Sequence, residues 1–227
     1  MGISEIAYYI SPKNTLSKLY VHYGCGQCSP KEWQNYDTSP TLKIQQTPII
    51  GWLLRKQLGQ SFEPHVKYGD ITIGFKDIAP NTVDGVYCSH VLEHLSLEDF
   101  RLAIKNTYAM LKPGGIFRLI MPDLKVLVDD YLADKAAGNP EASIRFVNRT
   151  ILGRDVRPKN WLKQARYAFG YLHHLWLWDN ESTMHELKQA GFSKLRICEF
   201  NDSTDPMFQL VENKQRFELC VRIEAIK

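Results

Sequence analysis

Apolar residues along this chain fall into short runs broken by polar turns, and the period of each run predicts an element. Lys18-Leu19-Tyr20-Val21-His22-Tyr23 is a β-prone run that must turn at Gly24-Cys25-Gly26. Ser29-Pro30-Lys31-Glu32 then offers a capping serine, a proline suited to a first helical position and a glutamate for a capping box, which predicts a short helical turn. The segments Trp33–Asp37, His65–Asp70 and Val83–Cys88 predict three more strands. Ser96 can cap a helix that places Phe100, Ile104, Tyr108 and Leu111 on one face. Lys112-Pro113-Gly114-Gly115 stops it, and the apolar run Ile116–Met121 has the length of a strand. Glu181–Ala190 predicts a helix closed by Gly191, and Lys194–Phe200 and Arg216–Ile223 predict two last strands. Strands separated by helices imply an α/β domain with a mostly parallel sheet.

Two stretches interrupt this alternation, Thr38–Pro64 and Asp123–Trp178, and helices are expected in both, because long structureless loops are uncommon inside compact domains. In the second stretch Trp161, Leu162, Ala165, Phe169, Leu172 and Trp176 recur at helical spacing, with Lys159, Lys163 and Arg166 opposite. The chain is expected to form one domain over residues 1–227, with a helical cap inserted at about 123–178.

Composition narrows the classes. With 227 residues, 44% hydrophobic and 23% charged, the chain reads as globular, which excludes disordered, collagen-like and coiled-coil designs. A net charge of +3 is too mild to argue for nucleic acid as a partner. Runs such as Pro48–Leu54 stop far short of the roughly 20 apolar residues of a membrane span. The first residues show no basic start followed by an apolar core, so no signal peptide is read. Five scattered cysteines do not form a secreted disulfide framework, and a reduced, cytoplasmic protein is expected. Locally the charge is not mild: Arg145, Arg149, Arg154, Arg157, Lys159, Lys163 and Arg166 are opposed only by Asp155. That face is either simply solvated or an attractor for an anionic acceptor or membrane surface.

A Gly-x-Gly turn after the first strand is where open α/β sheets receive nucleotide-type ligands. Only eleven positions separate Gly26 from Asp37, and Ser29 stands where a dinucleotide fingerprint has its third glycine. Both facts count against a nicotinamide-dependent oxidoreductase, whose acidic residue lies about 20 positions on. Asp37 and Asp70 also read as ordinary strand-end turn residues, and His22 as a core residue. Cys25 and Cys28 form a Cys-x-x-Cys pair, but no second pair completes a zinc set, and the thiols overlap a turn that wants small residues anyway.

Four segments in order, Leu19–Gly26, Trp33–Asp37, Asp84–Leu95 and Leu111–Asp123, resemble class I S-adenosylmethionine-dependent methyltransferases. More narrowly they resemble a small bacterial branch with a shortened first helix, often associated with surface-polysaccharide biosynthesis; His174–Asp179 and Ala190-Gly191-Phe192 add to the likeness. The resemblance implies a doubly wound, mostly parallel seven-stranded sheet, a Rossmann-like methyltransferase fold, with S-adenosylmethionine as cofactor. It further implies that Gly24, Cys25 and Gly26 pass the methionine part, Asp37 binds the ribose, Asp70 and Ile71 meet the adenine, and Ser89 and His90 line the sulfonium side. His22 and Cys28 depart from the wider pattern and leave room for a non-catalytic binding protein on the same fold.

Methyl transfer to oxygen or nitrogen needs alignment and, for a hydroxyl, a base. The base candidates are His90, Glu93, His94, Asp123, His173, His174 and Asp179, with His90 preferred and His174 second. This scheme requires no metal. The expected partner is a small-molecule or carbohydrate acceptor, with Trp161, Trp176 and Trp178 available either for sugar stacking or for the core.

Overall fold

The computed structural model describes residues 18–48, 61–153 and 173–227. Its sheet has seven strands: β1 (Tyr20–Tyr23), β2 (Gln34–Asp37), β3 (Lys67–Tyr68), β4 (Val83–Ser89), β5 (Leu111–Pro122), β6 (Ser193–Ile197) and β7 (Cys220–Ile226). Their order across the sheet is β3-β2-β1-β4-β5-β7-β6. The first five pair in parallel, and β7 runs antiparallel between β5 and β6. Strand order reverses between β1 and β4, and both are buried on two faces, as continuous apolar runs demand.

Among the described residues the helices are α1 (Pro40–Gln45), α2 (Leu97–Met110), α3 (Leu124–Ala136), α4 (Ala142–Arg149) and α5 (Asn180–Gln189). Ser96 caps α2 by accepting from the Asp99 N–H, and Asp179 with Ser182 forms a full capping box on α5. Phe100, Ala103 and Ile104 of α2 and Leu187 of α5 pack on Val21, Tyr23, Val86, Phe117 and Leu119 of one sheet face. The opposite face, Tyr20, Tyr87 and Ile120, is covered by Trp33 and by Phe208, Val211 and Phe217 from the irregular segment between β6 and β7.

That segment is anchored by a buried cation. Arg118 of β5 is fully enclosed; it bonds Asp202 at 2.9 Å, Glu224 at 2.7 Å and the Glu199 carbonyl at 2.9 Å, and its Nε faces Glu212 at 2.6 Å. The guanidinium lies 5.7 Å from the Phe208 ring and 6.0 Å from Phe217, within cation–π range.

Several local expectations change. No helix forms at Ser29–Glu32; the Pro30 carbonyl accepts from the Trp33 N–H and the Asn35 side chain, which leaves a turn. The last strand starts at Cys220 rather than Arg216. Lys214–Arg216 is a 3₁₀ turn capped by Asn213, and Leu219 at φ 58° redirects the chain into β7. In the second long stretch Asp123 and Trp178, its first and last residues, pair in a parallel bridge, and the Leu124 N–H donates to the Trp178 carbonyl at 2.7 Å. Trp178 is buried and stacked on Phe100 at 4.0 Å, so it serves the core rather than a sugar. Arg145 pairs with Asp134 and Arg149 with Asp130, which neutralises two charges of the basic run. The helix read at Trp161–Leu172, with Arg154 to Arg166, lies outside the described residues. Among the described residues no helix is long and apolar enough to cross a membrane.

Candidate functional site

Parallel register brings the carboxyl ends of β1, β2 and β4 level, since Tyr23 stands opposite both Tyr36 and Cys88. Gly24, Asp37 and Ser89 therefore open onto one edge, at the reversal in strand order where ligands of such sheets bind.

The turn after β1 is built on two left-handed glycines, Gly24 at φ 64° and Gly26 at φ 52°. They do different work. A Cβ on Gly24 would lie 2.1 Å from Val91 Cγ2, so this glycine lets the turn pack on the segment after β4. A Cβ on Gly26 would meet nothing within 4 Å, so its backbone borders open space. The Cys25 N–H donates to the Tyr36 carbonyl at 3.1 Å, and the Gly26 N–H donates to Asp37 Oδ2 at 3.0 Å. Asp37 Oδ1 accepts from the Ser39 N–H at 2.8 Å. Asp37 thus holds the turn in shape, and each oxygen keeps a second lone pair.

Asp70 accepts from the Thr72 N–H and hydroxyl, both on Oδ1, which leaves its Oδ2 out of that turn. Ile71 beside it is buried, and Asn106 of α2 donates to the carbonyls of Ile71 and Thr72 at 2.8 and 3.0 Å.

Beyond Ser89, which is buried, His90 adopts φ 55°, a left-handed conformation that costs a non-glycine residue about 1 kcal/mol or more. Its Nδ1 lies 3.4 Å from Glu93 Oε1, and its Nε2 lies 3.3 Å from the Arg216 carbonyl and 3.8 Å from Cys220 Sγ. Burial works to lower the His90 pKa, but the contacts with Cys220 and Glu93 outweigh it and push it up to about 9. That direction favours the protonated imidazole, which holds a proton rather than takes one. Arg216 in turn donates to the Ser89 carbonyl at 2.8 Å and joins the irregular segment to the site. Sequence reasoning took Arg216 for a strand residue and missed it.

His174 is buried beside His94, ring centroids 5.0 Å apart, and burial is the main influence holding its pKa below the ordinary value. It is reached through the Leu175 and Trp176 N–H groups, which both donate to the Glu93 carbonyl. The structure thus places His90, Glu93, His94 and His174 together. Asp123 and Asp179 instead cap α3 and α5. His22 is in the core, and burial pushes its pKa down to about 3. Burial pushes the Cys25 thiol up to about 12 and raises that of Cys28, the reverse of a reactive redox pair.

The open backbone at Gly26, the carboxylates of Asp37 and Asp70 and the apolar Ile71 suit the amino-acid, ribose and adenine parts of an adenosyl ligand. A family model described as a methyltransferase domain matches residues 27–197. The chain belongs to that family, and S-adenosylmethionine is its methyl donor. Among solved structures the chain is similar to a SAM-dependent methyltransferase from Archaeoglobus fulgidus, at 14% identity, covering 93% of this chain and 87% of that one, with a TM-score of 0.48. It is also similar to a possible histamine N-methyltransferase from Thermotoga maritima, at 15% identity, 92% and 82% coverage and a TM-score of 0.46. A third is phosphoethanolamine N-methyltransferase 2 of Haemonchus contortus in complex with S-adenosyl-L-methionine, at 14% identity, 86% and 36% coverage and a TM-score of 0.42. No curated protein sequence matches this chain.

Proposed function

We propose that this methyltransferase acts on an oxygen or nitrogen of a small, carbohydrate-type acceptor in surface-polysaccharide biosynthesis, in the cytoplasm, as one domain capped by the insertion at about 123–178. The cofactor supplies an electrophilic methyl on a sulfonium. The chain's residues then have to hold, align and exclude water. Gly24, Cys25 and Gly26 border the methionine part, Asp37 receives the ribose hydroxyls on its free lone pairs, and Asp70 Oδ2 and Ile71 meet the adenine. Ser89 and His90 flank the sulfonium, and His90 and His174 are the residues assigned to the acceptor and to the proton it releases. The observation that carries this reading is the Gly26 N–H bond to Asp37, because it sets the turn and the ribose acid in one rigid unit.

Free thiols at all five cysteines support a reducing compartment. Arg145 and Arg149 are paired with Asp134 and Asp130. The sequence carries five more cations, Arg154, Arg157, Lys159, Lys163 and Arg166, in the same run, and this local charge supports an anionic acceptor or peripheral contact with an anionic membrane. A nicotinamide-dependent oxidoreductase is not favoured, since the chain turns from β1 to β2 without a helix.

Asp37→Ala is expected to weaken S-adenosylhomocysteine binding by roughly 10–100-fold, the loss of hydrogen bonds to a charged acceptor. Calorimetry on both proteins checks it, and equal affinities would remove Asp37 from the site. A thermal-shift series in which NADH stabilises the chain and S-adenosylmethionine does not would sink the whole reading. The acceptor follows from mass spectrometry of surface glycans with and without the protein, searched for one methylene of extra mass.

A further inference from the structure

Behind His90 sits a group of side chains whose hydrogen-bonding capacity is unspent. Glu93 is 1% exposed, on the 3₁₀ turn Leu92–His94, and neither carboxylate oxygen has a hydrogen-bond partner among the described residues. His174 is 5% exposed, and its Nδ1 has no partner either. A buried carboxylate left this way costs several kcal/mol, and native interiors rarely leave such groups unmet. Glu93 Oε1 lies 3.4 Å from His90 Nδ1, an ion pair when His90 is protonated but not a hydrogen bond. Oε2 has no partner among the described residues.

His174 Nδ1 is buried with no hydrogen-bond partner among the described residues, so its capacity is unspent. His94 is oriented as a ligand is: its Nδ1 donates to the His173 carbonyl at 3.1 Å, which puts the lone pair on Nε2. Imidazoles that bind metal commonly spend their second nitrogen on a backbone carbonyl in this way, which sets tautomer and ring angle. One ligand atom from each of Glu93, His94 and His174 lies within 4.8 Å of the other two. The two ligand-bearing segments are also tied together, since the Glu93 carbonyl accepts from Leu175 and Trp176 at 2.8 and 3.2 Å.

We infer that Glu93, His94 and His174 form a binding site for a divalent first-row transition metal ion, of the type of Zn²⁺ or Mn²⁺. Two imidazoles and one carboxylate favour such an ion over Mg²⁺ or Ca²⁺, which prefer all-oxygen sets. Three protein ligands leave coordination positions open, the pattern of sites that engage a substrate rather than hold a fold. The assignment departs from the metal-free scheme read from the sequence and takes His174 out of the role of base. It rests on side-chain geometry alone. Only its use, polarising an oxygen of the acceptor beside His90, rests on the proposed acceptor chemistry.

The test is metal uptake by the full chain after stripping with chelator. Titration with ZnCl₂ and with MnCl₂ in a calorimeter should show one saturable ion per chain for at least one of them. Glu93→Gln and His174→Ala should each weaken it by at least about 100-fold, more than an outer-shell change does. Loading wild type with Co²⁺ should give visible ligand-field bands without the near-ultraviolet thiolate charge-transfer band. This reports nitrogen and oxygen ligands even where a variant fails to fold. A folded wild type with no saturable site would overturn the proposal, as would unchanged affinity in both folded variants or a thiolate band. S-adenosylhomocysteine binding, measured on the same samples, keeps the questions apart: its loss would count against the methyl-transfer reading and leave the ion count to decide this one.

Discussion

Arg118→Met is expected to lower the unfolding free energy by about 3–5 kcal/mol, and the Tm by roughly 6–20 °C for a chain of this size. The loss comes less from the missing attraction than from what stays behind. Glu224 and Glu212 are enclosed with Arg118; without the guanidinium Glu224 keeps only Arg196 at 2.8 Å, and Glu212 loses its ion-pair partner among the described residues. Methionine fills much of the volume, so the measurement reports charge rather than a cavity. Burial already raises the Glu212 pKa, while Arg196 and Arg118 overcome burial to hold Asp202 well below the usual carboxylate range. For Asp202 the sign is that of a depressed acid: its contribution is present above the unfolded pKa near 4 and is lost as pH falls through the folded value. The variant's deficit should therefore be widest at neutral pH and narrow on acidification, as the stranded acids take up protons. Differential scanning calorimetry from neutral pH down to the carboxylate range checks both statements. A deficit that does not change with pH would mean that packing, not charge, is what Arg118 contributes. Because Arg118 pins the segment that carries Arg216 to the Ser89 carbonyl, the variant is also expected to bind S-adenosylhomocysteine more weakly.

The second large effect is at the first glycine. Gly24→Ala should cost roughly 2–4 kcal/mol of stability, combining a left-handed L-residue with an overpacked contact. The added methyl would fall 2.1 Å from Val91 Cγ2. Val91→Ala in the same chain should return part of that loss, and a double-mutant cycle by denaturant unfolding measures how much. Gly26→Ala makes the contrast. Nothing in the protein stands within 4 Å of its Cβ, so only the backbone term near 1 kcal/mol should appear in stability. Its loss should show instead as weaker S-adenosylhomocysteine binding, since the open space there is where the cofactor's amino-acid end is proposed to lie. Equal effects of the two substitutions on affinity and on stability would erase this division of labour.

Much of this was readable along the chain because the signals are local. Burial on two faces writes itself as apolar runs, hence β1, β4 and β5; Ser96 stands where a cap belongs; Gly24 and Gly26 follow the first strand. The misread elements are those where a contact outside the pattern overrode it. Ser29–Glu32 has the cap signals of a helix, yet the Pro30 carbonyl is taken by the Trp33 N–H and the Asn35 side chain, and the chain goes on into β2. Arg216 opens the segment that reads as the last strand, yet its guanidinium is drawn to the Ser89 carbonyl. One signal was available and unused: Arg118 interrupts the otherwise apolar run Ile116–Met121, and a charge in a buried strand needs acids to meet it.

The sequence by itself determined the α/β class, the site of the glycine turn and the two strand-end acids, because period, caps and turns act over a few residues. Only the tertiary structure decided that His90 is set between Glu93, the Arg216 carbonyl and Cys220, that Glu93, His94 and His174 converge, and that one buried arginine fastens the segment behind them. Those facts join residues some eighty to a hundred and thirty positions apart. Such distances are closed by the packing of the whole sheet, which no window along the chain contains.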